Sequence, residues 1–167
     1  MIIWFLGISG SGKTTIAKKL KYLLDKKNKV VLLDGDELRN VWSDNLGYAI
    51  ESREKNAERI FKLVKLLHKQ NCHIIVSVLS NFPKWLKKNK KTFKKDYTEI
   101  FLDIPLELAI KRKQNVYKLQ KNIVGIDIPF NRPENPDIII SEKFLDDPFE
   151  ALNIIIKYLK KNGQLQI

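Results

Sequence analysis

The stretch Gly7-Ile-Ser-Gly-Ser-Gly-Lys-Thr14 follows the apolar run Ile2-Ile-Trp-Phe-Leu6 and opens a segment of helical period, and this placement narrows the possible folds more than any other feature. Glycines let the backbone curl so that successive N–H groups point inward, and a helix beginning near Lys13 adds the positive end of its dipole. The spacing is G-x-x-x-x-G-K-[ST], a concave cradle for a polyphosphate, in the strand-then-helix context that the motif requires. Three of the chain's seven glycines fall in this one turn, which argues against a glycine-rich turn that binds nothing. The expectation is that Gly7, Ser9, Gly10, Ser11, Gly12, Lys13, Thr14 and Thr15 form an ATP site. Lys13 would reach the β- and γ-phosphates, and the Thr14 hydroxyl would ligate Mg²⁺.

The rest of the chain carries the pattern that such a loop needs around it. Apolar runs at 2–6, 29–33, 73–79, 99–103 and 137–140 read as strands, and segments of helical period at 13–26, 53–70, 84–95, 106–113 and 148–161 read as helices. Ile60, Leu63, Val64 and Leu67, for example, recur at the three- and four-residue intervals of a helix lying on a sheet. Alternation of this kind predicts an α/β fold of βαβ units, with a mainly parallel five-stranded sheet flanked by helices. At 167 residues one domain spanning 1–167 is expected. Its one long irregular stretch, 114–136, has three prolines and Gly125 and reads as a short lid.

A net charge of +12 raises nucleic acid or a membrane surface as partners. The distribution points elsewhere, since lysine outnumbers arginine about five to one and is spread over most of the expected helices. In the densest run, 84–95, Trp85, Leu86 and Phe93 fall close to one helical face with lysines around them, the signature of a solvated amphipathic helix. No apolar run approaches the roughly 18 residues of a membrane span. The single cysteine, Cys72, excludes a disulfide framework and reads as a packing residue, so a cytoplasmic location with neither membrane nor nucleic acid as partner is expected.

A phosphate-binding loop alone does not separate a nucleotide-hydrolysing switch from a kinase of small molecules. Val30-Val-Leu-Leu-Asp-Gly-Asp36 helps, because it puts Asp34 and Asp36 at the carboxyl end of a strand, the edge that faces the ligand crevice in open α/β sheets. Carboxylates there can orient metal-bound water or accept the proton of an attacking hydroxyl. Asp36 could equally cap a helix beginning near Glu37. No Asn-Lys-x-Asp guanine signature is present, which disfavours a GTPase.

Taken together, Gly7 to Thr14, Leu33-Asp-Gly-Asp36 with Arg39, Leu46-Gly-Tyr48, Arg53-x-x-Asn56-x-x-Arg59 and Pro133-Glu-Asn-Pro136 resemble the adenylyl-sulfate (APS) kinase family over nearly the whole chain. The resemblance implies a three-layer, nucleotide-kinase-like P-loop fold and transfer of the γ-phosphoryl of ATP to a ribose 3′-hydroxyl with Mg²⁺, by an enzyme that commonly dimerises. It implies Asp36 at the 3′-hydroxyl, with Thr14 and Asp36 at the metal. Asp34, Arg39, Tyr48, Arg53 and Asn56 would hold an anionic nucleotide acceptor, Leu79 and Ser80 would line its pocket, and Arg112 would lie beside the adenine of ATP. The residues themselves agree in kind, since Arg39, Arg53 and Arg59 are three of only five arginines in a lysine-rich chain, and planar forks suit phosphoryl oxygens. The alternative is surface arginines paired with Glu51, Glu54 or Glu58.

The departures from the family are concentrated on the acceptor side. Leu79-Ser80-Asn81-Phe82-Pro83 stands where the family usually has an Ile-Ser-Pro type turn, and Tyr48 replaces a stacking phenylalanine. The lid is several residues shorter than the family's, and Ile123 or Val124 stands in the region of a second stacking phenylalanine. Lys118 and Lys121 would close over the phosphates. Loss of one aromatic slice, where base stacking contributes about 1–3 kcal/mol, weakens selection of a purine. Relatives of this family phosphorylate cytidine diphosphoramidate in capsule polysaccharide biosynthesis, and the short lid favours that acceptor, with adenylyl sulfate as the alternative. A regulatory or nucleic-acid-binding ATPase and a catalytically silent binding module are the remaining classes.

Overall fold

The computed structural model describes residues 1–25, 29–42, 44, 46–79, 82–144 and 147–165. Strand β1 (Ile2–Leu6) leads into α1 (Lys13–Asp25), β2 (Val30–Asp34), α2 (Gly35–Val41), α3 (Ile50–Lys69) and β3 (His73–Ser77). Then come α4 (Pro83–Phe93), β4 (Tyr97–Asp103), α5 (Leu106–Arg112), α6 (Gln114–Leu119), β5 (Ile138–Ser141) and α7 (Pro148–Lys161). The strands form one sheet in the order β2-β3-β1-β4-β5, and every pairing is parallel.

Both faces of such a sheet are covered by helices, so its central strand is apolar at every position instead of alternating. In β1 all five residues are buried. Ile3 and Phe5 point to one face, where they pack with Ile16 and Leu20 of α1 and Ile155 and Leu159 of α7. Ile2, Trp4 and Leu6 point to the other and meet Ile60 and Val64 of α3 and Leu86 and Phe93 of α4. Burying each such side chain contributes about 1.5–3 kcal/mol. The helix after β1 therefore leaves toward one face and the helix after the adjacent β3 toward the other. Their carboxyl ends diverge into a crevice, the usual ligand position in open α/β sheets.

The elements depart from the sequence expectation where local pattern is weakest. Leu79 lies beyond β3, which ends at Ser77. The stretch 114–136 is less irregular than its prolines suggest, since it begins with α6 and carries a bridge between Val124 and Ile128. Lys26, the expected last residue of the first helix, lies outside the described residues. The lysine-rich run forms α4 as expected, with Leu86 and Phe93 buried and Trp85 against Phe61 at 5.6 Å. Several of its charges are engaged: Lys84 pairs with Glu54, Lys87 with Glu134, and Lys88 lies over the rings of Phe61 and Trp85. Cys72 is a free thiol packed against the second core cluster. No helix among the described residues is long and apolar enough to cross a membrane.

Candidate active site

The loop between β1 and α1 curls because its glycines permit it. Gly10 has φ +85°, and a Cβ there would meet the Ala109 carbonyl oxygen at 2.8 Å, so the loop can press onto α5 only as glycine. A Cβ on Gly7 would meet the Leu102 carbonyl at 2.7 Å. Ser11 is fully buried and its N–H donates to the Ile8 carbonyl at 3.2 Å, so this residue supports the loop from inside. Tyr117 of α6 donates its hydroxyl to the Ser9 carbonyl at 2.9 Å. The phosphate-binding loop and the α5–α6 corner are thus tied to one another at two adjacent residues.

Lys13 Nζ turns back into the loop and donates to the carbonyls of Gly7 at 2.9 Å and Ile8 at 2.8 Å. Burial pulls its ammonium down to about 8, against the raising influence of Asp36 and Asp34, and Lys113 adds to the lowering. An anionic polyphosphate binds the charged form. We expect kcat/KM for ATP to be level below about pH 8 and to fall about tenfold per unit above it, whereas an ordinary lysine would hold its charge past pH 10. A pH profile of kcat/KM between 6.5 and 9.5 that stayed level throughout would contradict this.

Across the crevice, Thr14 Oγ1 donates to Asp34 Oδ2 at 2.8 Å and lies 3.4 Å from Ser77 Oγ. The other oxygen of Asp34 accepts from the Asp36 N–H at 3.0 Å, making Asp34 the cap of α2. The alternative reading of Asp36 as the cap places it two residues too late: α2 starts at Gly35, its N-cap is Asp34, and Asp36 lies within its first turn. Among the described residues no three His, Cys, Asp or Glu side chains cluster as a metal cage. Hydroxyl and carboxylate oxygens from Thr14, Asp34 and Ser77 nonetheless suit a hard cation that keeps water and phosphate as its other ligands.

These groups open on a cleft of about 500 Å³. Of the residues expected from the sequence, Ser9, Gly10, Gly12, Lys13, Thr14, Thr15, Asp34, Asp36, Tyr48, Arg53, Leu79, Arg112 and Ile123 line it. A side pocket of about 60 Å³ gathers Asp36, Arg39, Arg53 and Asn56 behind Leu79. Arg39 Nη1 donates to the carbonyls of Leu46 and Gly47, and its guanidinium lies 4.9 Å from the ring centre of Tyr48. Arg53 Nε donates to the Tyr48 carbonyl at 2.8 Å and Nη2 to the Asn122 carbonyl at 2.9 Å.

Some expected residues lie elsewhere. Arg59 points away and grips Asp44 with both nitrogens at 2.6 Å, so its partner is neither a ligand nor one of the nearby glutamates. With help from Lys55 it holds the Asp44 carboxyl well below the usual carboxylate range. Lys118 is exposed and does not line the cleft. Ser80 lies outside the described residues. Val124, the alternative to Ile123 in the sequence, lines it too, and so do Ser77, Lys113, Val116, Gln120 and Pro148, which the sequence did not mark as site residues. Ser77 carried a usable signal as the last residue of a strand beside β1; the others are brought in by tertiary packing alone.

A parallel sheet of this order, a phosphate-binding loop after its central strand and paired carboxylates after β2 define a P-loop kinase of small molecules. Residues 1–141 match the family model described as adenylylsulphate kinase, and the chain belongs to that family. It is therefore an enzyme, a phosphotransferase acting on a hydroxyl group. An adenylyl-sulfate kinase of Clostridium acetobutylicum is 35% identical over 168 residues, covering 96% of this chain and 84% of that protein. A cytidine diphosphoramidate kinase of Campylobacter jejuni is 35% identical over 165 residues, covering 95% of each chain. The structure of the Mycobacterium tuberculosis APS kinase in complex with AMPPNP and APS aligns with a TM-score of 0.84 at 28% identity, over 95% of this chain and 96% of that one.

Proposed function

We propose that this enzyme transfers the γ-phosphoryl of ATP to the ribose 3′-hydroxyl of cytidine diphosphoramidate. The observation that carries the choice of acceptor is the lining of the cleft: among the described residues Tyr48 is its one aromatic, while the rings of Trp4, Phe82 and Trp85 line the side pocket of about 60 Å³, too small for a base. The arm after α5 contributes Val116, Gln120, Ile123 and Val124 in place of a second ring. A base held by one ring and aliphatic side chains gains less from a large purine face than a base held between two rings. The Campylobacter jejuni relative supports the same reading, since it and this chain cover one another almost end to end.

In this reading Gly10, Gly12 and Lys13 hold the phosphates of ATP, with Lys13 exchanging the carbonyls of Gly7 and Ile8 for phosphate oxygens. Thr14 and Asp34 hold Mg²⁺, which when bound neutralises charge on the β- and γ-phosphates. Asp36, lining both the cleft and the side pocket, orients the acceptor hydroxyl and takes its proton. Arg39, Arg53 and Asn56 engage the acceptor's anionic tail, and the arm acts as a lid that excludes water. Most of the rate acceleration then comes from alignment and charge stabilisation.

The test is ADP release with ATP and Mg²⁺, comparing cytidine diphosphoramidate and adenylyl sulfate at equal concentrations below KM. A higher kcat/KM for the cytidine compound supports the proposal. A large preference for adenylyl sulfate overturns the choice of acceptor and leaves a sulfate-activating kinase.

A further inference from the structure

Asn56 is 5% exposed on α3, and a buried primary amide must place two different ends, an acceptor oxygen and a donor nitrogen. Trp42, at the C-cap of α2, settles which is which: its indole Nε1 donates to Asn56 Oδ1 at 2.8 Å. The reversed amide would set two N–H donors against one another. Nδ2 is thereby the end of the amide that Trp42 does not engage, and Asn56 lines the wall of the side pocket beside Arg39 and Arg53.

Trp42 is itself held from outside. The Arg59 guanidinium lies 5.5 Å from the indole ring centre, and Arg59 is fixed by both oxygens of Asp44. Asp44, Arg59, Trp42 and Asn56 form a chain of contacts running from the surface to the pocket, and Trp42 does not line that pocket itself. This explains why Arg59 is turned away from the acceptor although it lies one helical turn beyond Asn56.

We infer that Trp42 is a positioning residue for acceptor binding, acting through the amide of Asn56 to present a third donor, beside two guanidinium groups, to the anionic tail of the nucleotide acceptor. The inference rests on the proposed function for its acceptor and deepens it. Two guanidinium forks alone would hold an anion in several orientations; a fixed amide N–H adds a direction.

The experiment is steady-state kinetics of wild type, Trp42→Phe, Asn56→Ala and the double variant, with whichever of cytidine diphosphoramidate or adenylyl sulfate the wild type phosphorylates. Trp42→Phe keeps an aromatic ring but removes the indole N–H together with the five-membered part of the ring, so the double variant, in which only the packing loss remains, isolates the part of the effect that runs through Asn56. It is expected to raise the acceptor KM about tenfold, the scale of one buried hydrogen bond, with the KM for ATP unchanged. In the Asn56→Ala background it should cause no further rise, because the group it positions is gone. Asn56→Asp, which can still accept from Trp42 but offers no N–H and sets a carboxylate against the anionic tail, should weaken acceptor binding at least as much as Asn56→Ala does. Additive effects in the double variant, an acceptor KM unchanged in Trp42→Phe, or an equal rise in the KM for ATP would each overturn the inference while the proposed function stood. A wild type that phosphorylates neither acceptor would overturn the proposed function, and this inference with it.

Discussion

Lys13→Ala is expected to lower kcat/KM by about 10³-fold, the scale lost when one preorganised donor to a developing charge is removed. The same substitution is expected to leave the melting temperature level or higher. Burial penalises the Lys13 ammonium in the folded enzyme, as its lowered titration shows. With a folded-state value below that of the unfolded chain, the proton held at pH 7 opposes folding, and alanine removes that opposition. Against this stands the loss of the Lys13 bonds to the carbonyls of Gly7 and Ile8, which the melting temperature weighs directly. Activity assays and thermal unfolding of one preparation give both numbers. Activity within tenfold of wild type would remove Lys13 from the phosphate site, and a fall in melting temperature matching the fall in rate would make it a strut of the loop instead.

Asp36→Asn is expected to reduce kcat by about 10²–10³-fold, within the range that a positioned general base contributes, while ATP binding measured by calorimetry is unchanged. The substitution keeps the shape of the side chain and its place in the first turn of α2, since the cap of that helix is Asp34. Asp34→Asn would confound the experiment, because Asp34 accepts from both Thr14 and the Asp36 N–H. Turnover retained in Asp36→Asn would withdraw the proton-accepting role and leave the ATP site as described.

What could be read before folding follows from how local the physics is. The glycine-rich loop was legible because its backbone conformation and its partner's shape are both dictated within eight residues. The strands were legible because a sheet covered on both faces demands continuous apolar runs, as in Ile2 to Leu6. The six-residue helix α6 was not legible, because so short a segment does not sustain a helix without tertiary contacts, and α2 was legible only as the alternative role of Asp36 as a cap. The acceptor side was half legible. Arg39, Arg53 and Asn56 do converge on one pocket, but which arginine faces ligand and which faces a carboxylate depends on Asp44 and Trp42, whose positions only the packing of α2 against α3 decides. Lys113, next to Arg112 in the chain, had no role that the sequence could assign, because it reaches the cleft through the corner between α5 and α6.

The bond from Arg53 to the Asn122 carbonyl makes the arm a ruler. Asn122 sits in the left-handed region at φ +60° and presents its carbonyl to a guanidinium rooted in α3, while the other end of the arm is pinned at Tyr117 to the loop carbonyl of Ser9. A chain advances about 3.5 Å per extended residue, several times the width of the window in which an N–H···O bond keeps its strength. Inserting or deleting one residue between those pins would move the graduation past its mark, so the length of this arm is a gauge set by its two anchors.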